Sequence, residues 1–571
     1  MTSTSSITFL KFSREITQGG AKDYHITQAI SYTDTELTNL RGLTNCIFDD
    51  KVTFNGTIFE NDLIFMNCTF KAAVLFNKCQ FQASITLIDC RFENDLIFNS
   101  PVFQKIALFS GKYETITFTG NVNLSSDTPT ELILSRIAAD EINFKVKEVN
   151  SSLTLLDCDI ERIFFSSGIF NGTVSLEGEQ LKFNMMAIDS CTFNERVDFR
   201  ASDSGGSLNT HRTAFNQMLI FFELFRCDYI SLSATIAKQR VSMSSNGNIS
   251  GVSINDCDFQ SSFECHKSGD SPRSTDHYFS CDISGVIRGN IIFEDIIVSS
   301  ITVGCSNFGN IVFRNTETHT ITIKDFLNYN KLTFANLRLV YQHHVMIIFD
   351  SNIDRTEFVN VDFRKFGELV IARSEVSNII LSNSILPPRI QIGTRDPKYG
   401  YEIPTDEKIN DNTYHRENYR QLKQAMEKQG NRSAALLYKS REMHYLRKET
   451  SWGWDKILLN LNYISNNHGL SWIRGIFFTL TISLLMYIIF EISLKSSLFS
   501  FSLKYTFTQT RYAIHVGIDS FSEFLASFPL YKSQLEQADG WKAFLVIMLA
   551  RIFVGYGVYQ TIAAFRKYAG K

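Results

Sequence analysis

Residues 52–98 decide the fold of this chain, and they read VTFNGTIFENDLIFMNCTFKAAVLFNKCQFQASITLIDCRFENDLIF. Large apolar residues recur along this stretch in steps that alternate between five and six positions. They are Phe54, Phe59, Phe65, Phe70, Phe76, Phe81, Leu87, Phe92 and Phe98. Neither the period of about 3.6 residues of an α-helix nor the simple alternation of a strand fits a mean step of about 5.5 residues.

A second, usually smaller residue precedes each of these by two positions. This second set is Val52, Thr57, Leu63, Cys68, Val74, Cys79, Ile85, Cys90 and Leu96. A coil with short straight sides explains both sets, because each side directs one such pair inward and then turns a corner. Four sides of about 5.5 residues give a coil of about 22 residues, within the range of solenoid repeats. The sequence therefore predicts a mainly β fold, built as a β-solenoid.

The same pairing continues less regularly as far as Ile379 and Leu381. We therefore expect the solenoid over residues 45–388, with about 15 coils. Residues 1–44 lack the pattern and are predicted to cap the first coil, whose strand edges would otherwise be unpaired. Polar stretches at 201–213 and 267–277 are predicted to be loops at the corners.

All eleven cysteines lie between Cys46 and Cys305. Six of them follow Asn, Asp, Lys or Ser and precede a Phe by two positions, which places Cys68, Cys79 and Cys90 at inward positions. A buried thiol acts there as a small hydrophobic group. Disulfide bonding is the alternative. We expect reduced cysteines, because residues 1–20 hold no apolar run of signal-peptide length and a cytoplasmic domain keeps its thiols reduced.

This pairing of a small residue with Phe or Leu near every fifth position resembles the pentapeptide-repeat family. The resemblance implies a right-handed quadrilateral β-helix. The chain departs from the family in that half of its steps are six residues and the usual Ala-Asp/Asn-Leu wording is mostly replaced. Some members mimic DNA and bind type II topoisomerases, but those are acidic dimeric rods without membrane segments. With a net charge of −3, nucleic acid is not an expected partner.

Helices are predicted after the solenoid. Residues 389–411 form a polar linker and 412–450 a helical hairpin, in which Gly430 ends the first helix and Asn431 caps the second. Residues 451–471 are predicted to be an amphipathic helix at the membrane surface, with an ordinary core helix as the alternative. Its apolar residues, at steps of three and four, are Trp454, Ile457, Leu458, Leu461 and Ile464.

Two apolar stretches, 472–495 and 541–565, are predicted transmembrane helices, since each is long enough to cross about 30 Å of hydrocarbon. Residues 496–540 between them form the predicted extracytoplasmic loop, and 566–571 a cytoplasmic tail. Basic residues before the first span and after the second place both termini in the cytoplasm. We therefore expect a multi-pass protein whose first partner is the lipid bilayer.

The C-terminal third carries a second resemblance. It rests on Tyr419-Arg-Gln-Leu-Lys423, Asn466-Asn-His-Gly-Leu-Ser-Trp472, Gly555-Tyr-Gly-Val-Tyr-Gln560 and Ala564-Phe-Arg-Lys-Tyr568. These segments are similar to the tail of membrane-bound pentapeptide-repeat proteins of bacteria. The resemblance implies a bacterial inner-membrane protein and brings no established activity.

Small residues recur every seven positions in the second span, at Ala543, Ala550, Gly557 and Ala564. Such a stripe lets another helix approach closely, so we predict that it is a helix-packing surface. Val554-Gly-Tyr-Gly557 looks like a potassium-channel selectivity filter. A filter, however, needs extended backbone after a pore helix and a complete span behind it, and only fourteen residues follow Gly557.

Residues 475–494 of the first span and 543–565 of the second each contain one charged residue, Glu491 and Arg551 respectively. Counted from the cytoplasmic ends, both lie about 21–23 Å deep. Because buried charges are costly unless they are paired or face water, we predict a charge pair between the two helices. The alternative is that each group reaches the outer headgroups separately.

No motif of a common enzyme class stands out. The sequence shows no nucleotide-binding loop, no Ser-His-Asp arrangement and no paired-carboxylate motif, so we expect no catalytic residues, no cofactor and no enzyme activity. Cys265-His266 and His277-x3-Cys281 fit no standard zinc spacing, and no metal site is predicted.

Two functions remain. The first is a membrane pore or channel, a homo-oligomer assembled through the small-residue stripe, with the cytoplasmic solenoid as a sensor or docking domain. By analogy, such a pore would serve bacterial stress or phage defence. The alternative is a non-conducting, membrane-tethered scaffold whose solenoid faces bind cytoplasmic proteins. The pore is slightly favoured, because anchoring alone needs only one span without charges.

Overall fold

The structure is a computed structural model of the 571-residue chain. It describes residues 5–7, 21–387, 411–493, 518–522 and 541–569, apart from 39, 41, 104–106, 125–130, 151, 179, 204–205, 245–248, 267–278, 340–343 and 520. The chain divides into two compact units. Unit 1 comprises Met1–Ser374 and Ile379–Pro387, and unit 2 comprises Glu375–Asn378 and Pro388–Lys571.

Unit 1 is built from short strands. Those of its first half are β1 Ser5–Ile7, β2 Ala21–Lys22, β3 Tyr24–Ile26, β4 Ile30–Thr33, β5 Glu36–Leu37, β6 Gly42–Thr44, β7 Ile47–Phe48, β8 Val52–Asn55, β9 Ile58–Phe59, β10 Leu63–Met66, β11 Thr69–Phe70, β12 Val74–Asn77, β13 Gln80–Phe81, β14 Ile85–Phe92, β15 Leu96–Asn99, β16 Val102–Phe103, β17 Ala107–Leu124, β18 Glu131–Val149, β19 Ser152–Leu156, β20 Asp159–Ser166 and β21 Ile169–Phe170.

The second half continues in the same way and adds one short 3₁₀ helix at Phe363–Lys365. Its strands are β22 Val174–Glu177, β23 Lys182–Asp189, β24 Thr192–Phe193, β25 Val197–Asp203, β26 Ser207–His211, β27 Ala214–Phe215, β28 Leu219–Ser233, β29 Ile236–Ala237, β30 Val241–Ser244, β31 Ile249–Asn255, β32 Asp258–His266, β33 Ser280–Glu294, β34 Ile297–Asn307, β35 Asn310–Arg314, β36 Glu317–Lys324, β37 Leu327–Asn328, β38 Lys331–Ala335, β39 Val345–Phe349, β40 Thr356–Val359, β41 Glu368–Ala372 and β42 Ile380–Ser382.

These strands stack in parallel from coil to coil. Val74 of β12 is opposite Val52 of β8 on one side and Leu96 of β15 on the other. Three other strands, β9, β10 and β11, lie between β8 and β12 in the chain, so one coil has four sides. The register advances by 22 residues here, from Phe54 to Phe76. The solenoid has about 14 turns, and the predicted β-solenoid is confirmed.

The apolar side chains form columns along the inside of the coil. The ring centroids of Phe54 and Phe76 lie 5.1 Å apart and those of Phe76 and Phe98 4.9 Å apart, with the rings nearly parallel. The ladder residues all lie inside, none more than 3% exposed: Phe54, Phe59, Phe65, Cys68, Phe70, Phe76, Cys79, Phe81, Leu87, Cys90 and Phe92. Stacked rings fill the core because every coil places the same kind of side chain at the same height.

The corners explain the residue before each ladder cysteine. Asn45, Asn67 and Asp89 have φ angles of 53°, 53° and 51°, the left-handed region that Asn and Asp tolerate best among residues with a side chain. The chain can therefore turn sharply and direct the next residue inward. The cysteine thiol then donates to backbone oxygens, as in Cys158 to the carbonyl of Leu134 at 3.1 Å.

All eleven cysteines are free and buried. Burial raises the pKa of the Cys158 thiol to about 11. This thiol is therefore neutral at pH 7, and the buried cysteines fill inward positions of the coil.

Amide ladders reinforce the outside of the coils. The side-chain amide of Asn77 donates to Asn55 at 2.7 Å, and that of Asn99 donates to Asn77 at 2.7 Å. A second ladder runs along left-handed corners through Asn315, Asn336, Asn360 and Asn383. Each amide both donates and accepts, so the ladder extends for as long as the coil register is kept.

Two boundaries differ from those predicted. The solenoid begins before residue 45, because β4 pairs in parallel with β8, and β2 and β3 pair with β6 and β7. The inward set continues here with Ile, Tyr and Leu in place of Phe, since Ile26, Tyr32, Leu37 and Leu43 are at most 8% exposed and follow steps of six, five and six residues. The expected loop at 201–213 contains parts of β25 and β26, which pair with β28. The expected loop at 267–277 and almost all of the linker at 389–411 lie outside the described residues.

Unit 2 is helical. Its helices are α1 Asp411–Lys428, α2 Arg432–Glu449, α3 Trp454–Asn466, α4 Trp472–Ser493 and α5 Trp541–Ala569. α1 and α2 form the predicted hairpin, in which Gly430 has a φ of +71° and the Asn431 side chain accepts from the backbone N–H of Ala434. α5 continues past the predicted end at 565. Most of the predicted loop at 496–540 lies outside the described residues.

We predict that Phe76→Asp destabilises the solenoid far more than Leu75→Asp. Phe76 is 1% exposed, whereas Leu75 lies on the same strand and points outward. A carboxylate at position 76 would be buried among phenyl rings at a cost of several kcal/mol. Thermal unfolding of the two purified variants, followed by circular dichroism, measures the difference. Equal midpoints would contradict the inward ladder.

Candidate functional site

α4 and α5 are apolar enough to cross a membrane. The candidate spans are Trp472–Phe490, with a mean hydropathy of 2.0, and Phe544–Arg566, with 1.6. Only 22% and 28% of these windows are buried, unlike core helices of a soluble domain. Phe477 and Ile552, for example, are 66% and 62% exposed. These outward faces need an apolar environment, which indicates that the protein associates with a membrane.

The two helices pack closely through small residues. A Cβ atom placed on Gly557 would lie 3.2 Å from Cα of Thr479, and one on Gly475 would lie 3.0 Å from Cα of Thr561. The backbones can approach this closely only because both positions are glycines. The helices are therefore antiparallel, with Gly557 at the level of Thr479 and Thr561 at the level of Gly475.

The predicted small-residue stripe lies on this contact face. Ala550, Gly557 and Ala564 are buried, and the structure does not describe the side chain of Ala543. Ala550 packs with Met486 and Tyr487 of α4. The helix that approaches the stripe is therefore α4 of the same chain.

Hydroxyl groups within the contact are satisfied along their own helices. Thr479 donates to the carbonyl of Gly475 at 2.7 Å, Ser483 to that of Thr479 at 2.7 Å, and Thr561 to that of Gly557 at 2.9 Å. Bonding to the carbonyl four residues earlier is the usual way for such groups to be buried in a helix. The α4–α5 contact thus holds no unsatisfied hydroxyl at these positions.

In this register the two residues of the predicted charge pair, Glu491 and Arg551, do not lie at the same level. Opposite positions on α4 and α5 place Arg551 level with Leu485, whereas Glu491 lies six positions further along α4. Six helical residues rise about 9 Å, so the two backbones are not at the matching depth that was expected. The expected depths were counted from the predicted cytoplasmic end of each helix. The contacts between α4 and α5 set their relative level differently. The side chain of Glu491 lies outside the described residues, and the ion pair itself stays a prediction.

α3 turns an apolar side outward. Trp454, Ile457, Leu458 and Ile464 are 86%, 42%, 51% and 60% exposed. Ser465 and Asn466, on the other side of the helix, are buried. An amphipathic helix with this arrangement suits the boundary between water and lipid better than a protein core, which would cover the apolar side.

Four hydrogen bonds, two of them buried, join α3 to α5. The side-chain amide of Asn466 donates to the carbonyl oxygen of Gln560 at 3.0 Å and to its side-chain oxygen at 2.6 Å. The amide of Gln560 donates to Asn462 at 2.8 Å, and the hydroxyl of Tyr556 donates to the same oxygen at 2.6 Å. We call Asn462, Asn466, Tyr556 and Gln560 the polar clamp. Every bond has good length, so the clamp fixes the position of α3.

The clamp joins two of the segments that carry the membrane-tail resemblance, Asn466–Trp472 and Gly555–Gln560. The ring of Trp472 also packs against that of Phe565, 5.0 Å between centroids. The contact between these two segments is not predicted by the resemblance. The available signal was the spacing, since Asn462 and Asn466 lie four apart on one helix and Tyr556 and Gln560 lie four apart on another.

α2 is attached to α3 from the opposite side. The hydroxyl of Ser440 donates to the carbonyl of Asn467 at 2.9 Å, and the guanidinium of Arg447 donates to Asn460 at 3.1 Å and lies over the ring of Tyr463. Burial lowers the pKa of the nearby His468 to about 4. This imidazole is therefore neutral at pH 7.

The residues once weighed as zinc ligands are only partly described. Cys265 and Cys281 are both buried, His266 lies near the carboxylates of Glu264 and Glu294, and His277 falls outside the described residues. Within the part of the chain that the structure describes, no group of three or more His, Cys, Asp or Glu could hold a metal ion.

Comparison with known proteins adds no relative. No family model, no curated protein and no solved structure matches this chain.

We predict that Gly557→Leu separates α4 from α5, whereas Gly555→Leu is tolerated. A Cβ at position 557 would press on Thr479, while one at position 555 has no neighbour within 4 Å. Overpacking of this kind costs about 1–3 kcal/mol or more. The thermal midpoint of each purified variant in detergent measures the effect, and equal losses at both positions would contradict the packing.

A second prediction concerns the polar clamp. Asn466→Ala and Gln560→Leu should each lower the thermal midpoint, because each leaves buried partners without hydrogen bonds, at about 1–3 kcal/mol. The double variant should lose less than the sum, since neither partner is then left alone. Thr481→Ala, on the exposed side of α4, is the control and should have little effect. Strict additivity would show that the two residues do not interact.

Proposed function

We propose that this protein is a non-catalytic binding scaffold anchored in the cytoplasmic membrane of a bacterium, with its solenoid in the cytoplasm. The observation that carries the proposal is the outward face of the α4–α5 pair. Among the described side chains from Ile476 to Ile489 and from Phe544 to Ile562, the exposed ones are apolar except Thr481 and Tyr559. Such a surface suits lipid on all sides and offers no polar lane for water or ions.

The close packing of α4 on α5 also favours the scaffold over the pore. Assembly of a pore through the small-residue stripe needs that stripe to face another subunit. Here Gly557 packs on Thr479 of the same chain. In the proposed scaffold the two spans form a self-contained anchor, and the second span is explained without a channel.

The solenoid is the proposed docking domain for a cytoplasmic protein. An aromatic pair stands on its outside, where Phe308 and Tyr329 are 48% and 53% exposed and stack with 4.6 Å between ring centroids. The guanidinium of Arg288 lies 5.9 Å from the ring of Phe308. Aromatic and Arg side chains are enriched at protein interfaces, so this pair is the first place to seek a partner.

Kinship with the pentapeptide-repeat family belongs to the same proposal. Four sides per coil, a 22-residue register and one inward pair per side support it. The proposed topology, with both termini in the cytoplasm, is supported by the exposed cations Arg474 and Arg566 at the same end of the hairpin. Nucleic acid and cofactors have no part in the proposal.

A pore remains the second candidate because of Arg551. This residue lies inside the span Phe544–Arg566 and is half-buried. A charge at that depth is costly and often functional. A homo-oligomer could surround it with water, in which case the solenoid would act as a sensor for a stress or defence trigger.

We predict the topology from the proposed anchor. In intact cells, a membrane-impermeant maleimide should label Lys542→Cys and should label Lys145→Cys only after lysis. The eleven native cysteines are at most 2% exposed, so their background should be low. Labelling of Lys145→Cys in intact cells would contradict a cytoplasmic solenoid.

Conductance separates scaffold from pore. The purified protein in a planar bilayer should show no current steps, with gramicidin as the control for an intact bilayer. Discrete steps whose size changes in Arg551→Gln would overturn the scaffold in favour of the pore.

A further inference from the structure

We propose that α3 and the cations around it form a binding surface for anionic phospholipid headgroups. This inference rests on the proposed membrane anchor and names the class of lipid that the anchor recognises. The apolar side of α3 would enter the acyl region, and the cations Lys448 and Arg474 would contact phosphate groups beside it.

The apolar side of α3 is continuous and fixed in place. Trp452 and Trp454 are 84% and 86% exposed at its start, and Ile464 is 60% exposed near its end. Tryptophan prefers the headgroup level of a bilayer. The polar clamp ties the other side of α3 to Tyr556 and Gln560 of α5, so the apolar side stays beside the span that crosses the lipid.

Charge selects anionic lipid. Residues 432–474 contain seven Lys or Arg and three Asp or Glu, a local net charge of +4 in a chain whose total is −3. Basic residues next to a membrane span are attracted to anionic lipids, an effect that weakens as salt is added.

Several of these cations are available to a ligand, whereas the carboxylates are largely occupied. Glu442 pairs with Lys423 at 2.8 Å and Glu449 with Arg416 at 2.7 Å. Lys448 and Arg474 are exposed, and within the described residues neither forms an ion pair. Lys448 follows Arg447, which contacts α3, and Arg474 lies in the first turn of α4. The two cations thus lie on the helices before and after α3, and the ammonium of Lys448 is 5.0 Å from the ring centroid of Tyr445.

A protein partner is a weaker occupant of the same surface. α3 contacts both α4 and α5, whose exposed apolar sides a bilayer would cover over their whole length. A lipid surface therefore covers α3 without any additional component. Phosphate groups on that surface would supply negatively charged partners for Lys448 and Arg474.

Fluorescence quenching by brominated lipids tests this proposal on the full chain. The chain has four tryptophans, so a Trp472→Phe/Trp541→Phe background leaves emission from Trp452 and Trp454 alone. The protein is reconstituted in equimolar phosphatidylcholine and phosphatidylglycerol, with bromine on the acyl chains of one lipid or the other. We expect quenching by brominated phosphatidylglycerol to be about twofold stronger, and the excess to fall at high salt.

Charge variants assign the effect. Lys448→Gln/Arg474→Gln should bring the two quenching values together, and Lys448→Arg/Arg474→Lys should retain the preference. Lys145→Gln/Lys182→Gln removes the same charge from the solenoid and should change nothing. Equal quenching by both lipids before mutation, or a preference that survives Lys448→Gln/Arg474→Gln, would overturn the proposal.

Two further results distinguish failure of the lipid-binding proposal from failure of the proposed membrane anchor. Release of the protein by alkaline carbonate would overturn the membrane anchor itself. Retention in the membrane without quenching by either lipid would show that something other than lipid covers α3, which overturns only the present inference.

Discussion

Pairing of each coil with the next is the interaction on which the solenoid depends. A single coil has no internal backbone partners, so its N–H and C=O groups must bond to the coils on either side. This pairing requires that every coil turns at the same place. The left-handed residues Asn45, Asn67 and Asp89, each 22 positions apart, make these turns. Phenyl stacking and amide ladders then follow, because residues 22 positions apart lie directly above one another. Where the chain inserts residues, the register is restored at the next coil.

The backbone polar groups of α4 and α5 must also be hydrogen-bonded, here because lipid replaces water around these helices. Lipid offers no hydrogen bonds, so α4 and α5 satisfy their backbones internally and bury their hydroxyls against their own carbonyls. The side-chain amides that remain are gathered into the polar clamp, where Asn462 accepts from two donors. This concentration of polar groups at one level gives the helical unit a fixed joint between the surface helix and the spans.

Charge is distributed unevenly along the chain, which the total net charge does not show. The whole chain has a net charge of −3, yet residues 432–474 alone carry +4. Ion pairs between α1 and α2 use the carboxylates of that region. An anionic membrane surface would bind the cations that are not used in these ion pairs. Function in this protein is therefore sought at the membrane boundary and on the outer faces of the coils, since the solenoid core is filled by packed apolar side chains.

The sequence by itself determined the solenoid, its inward residues and the two spans, because each rests on a local period that neighbouring residues repeat. It also contained the corner signal, the Asn, Asp, Lys or Ser before an inward cysteine, which marks a left-handed backbone conformation. The tertiary structure moved the start of the solenoid to before residue 45, where Ile26, Tyr32 and Leu37 fill the inward positions that Phe takes in later coils. It alone set the α4–α5 register, which placed Glu491 and Arg551 at different levels and turned the small-residue stripe toward a helix of the same chain. The polar clamp was equally hidden, because Asn466 and Gln560 are 94 residues apart and no local period relates them.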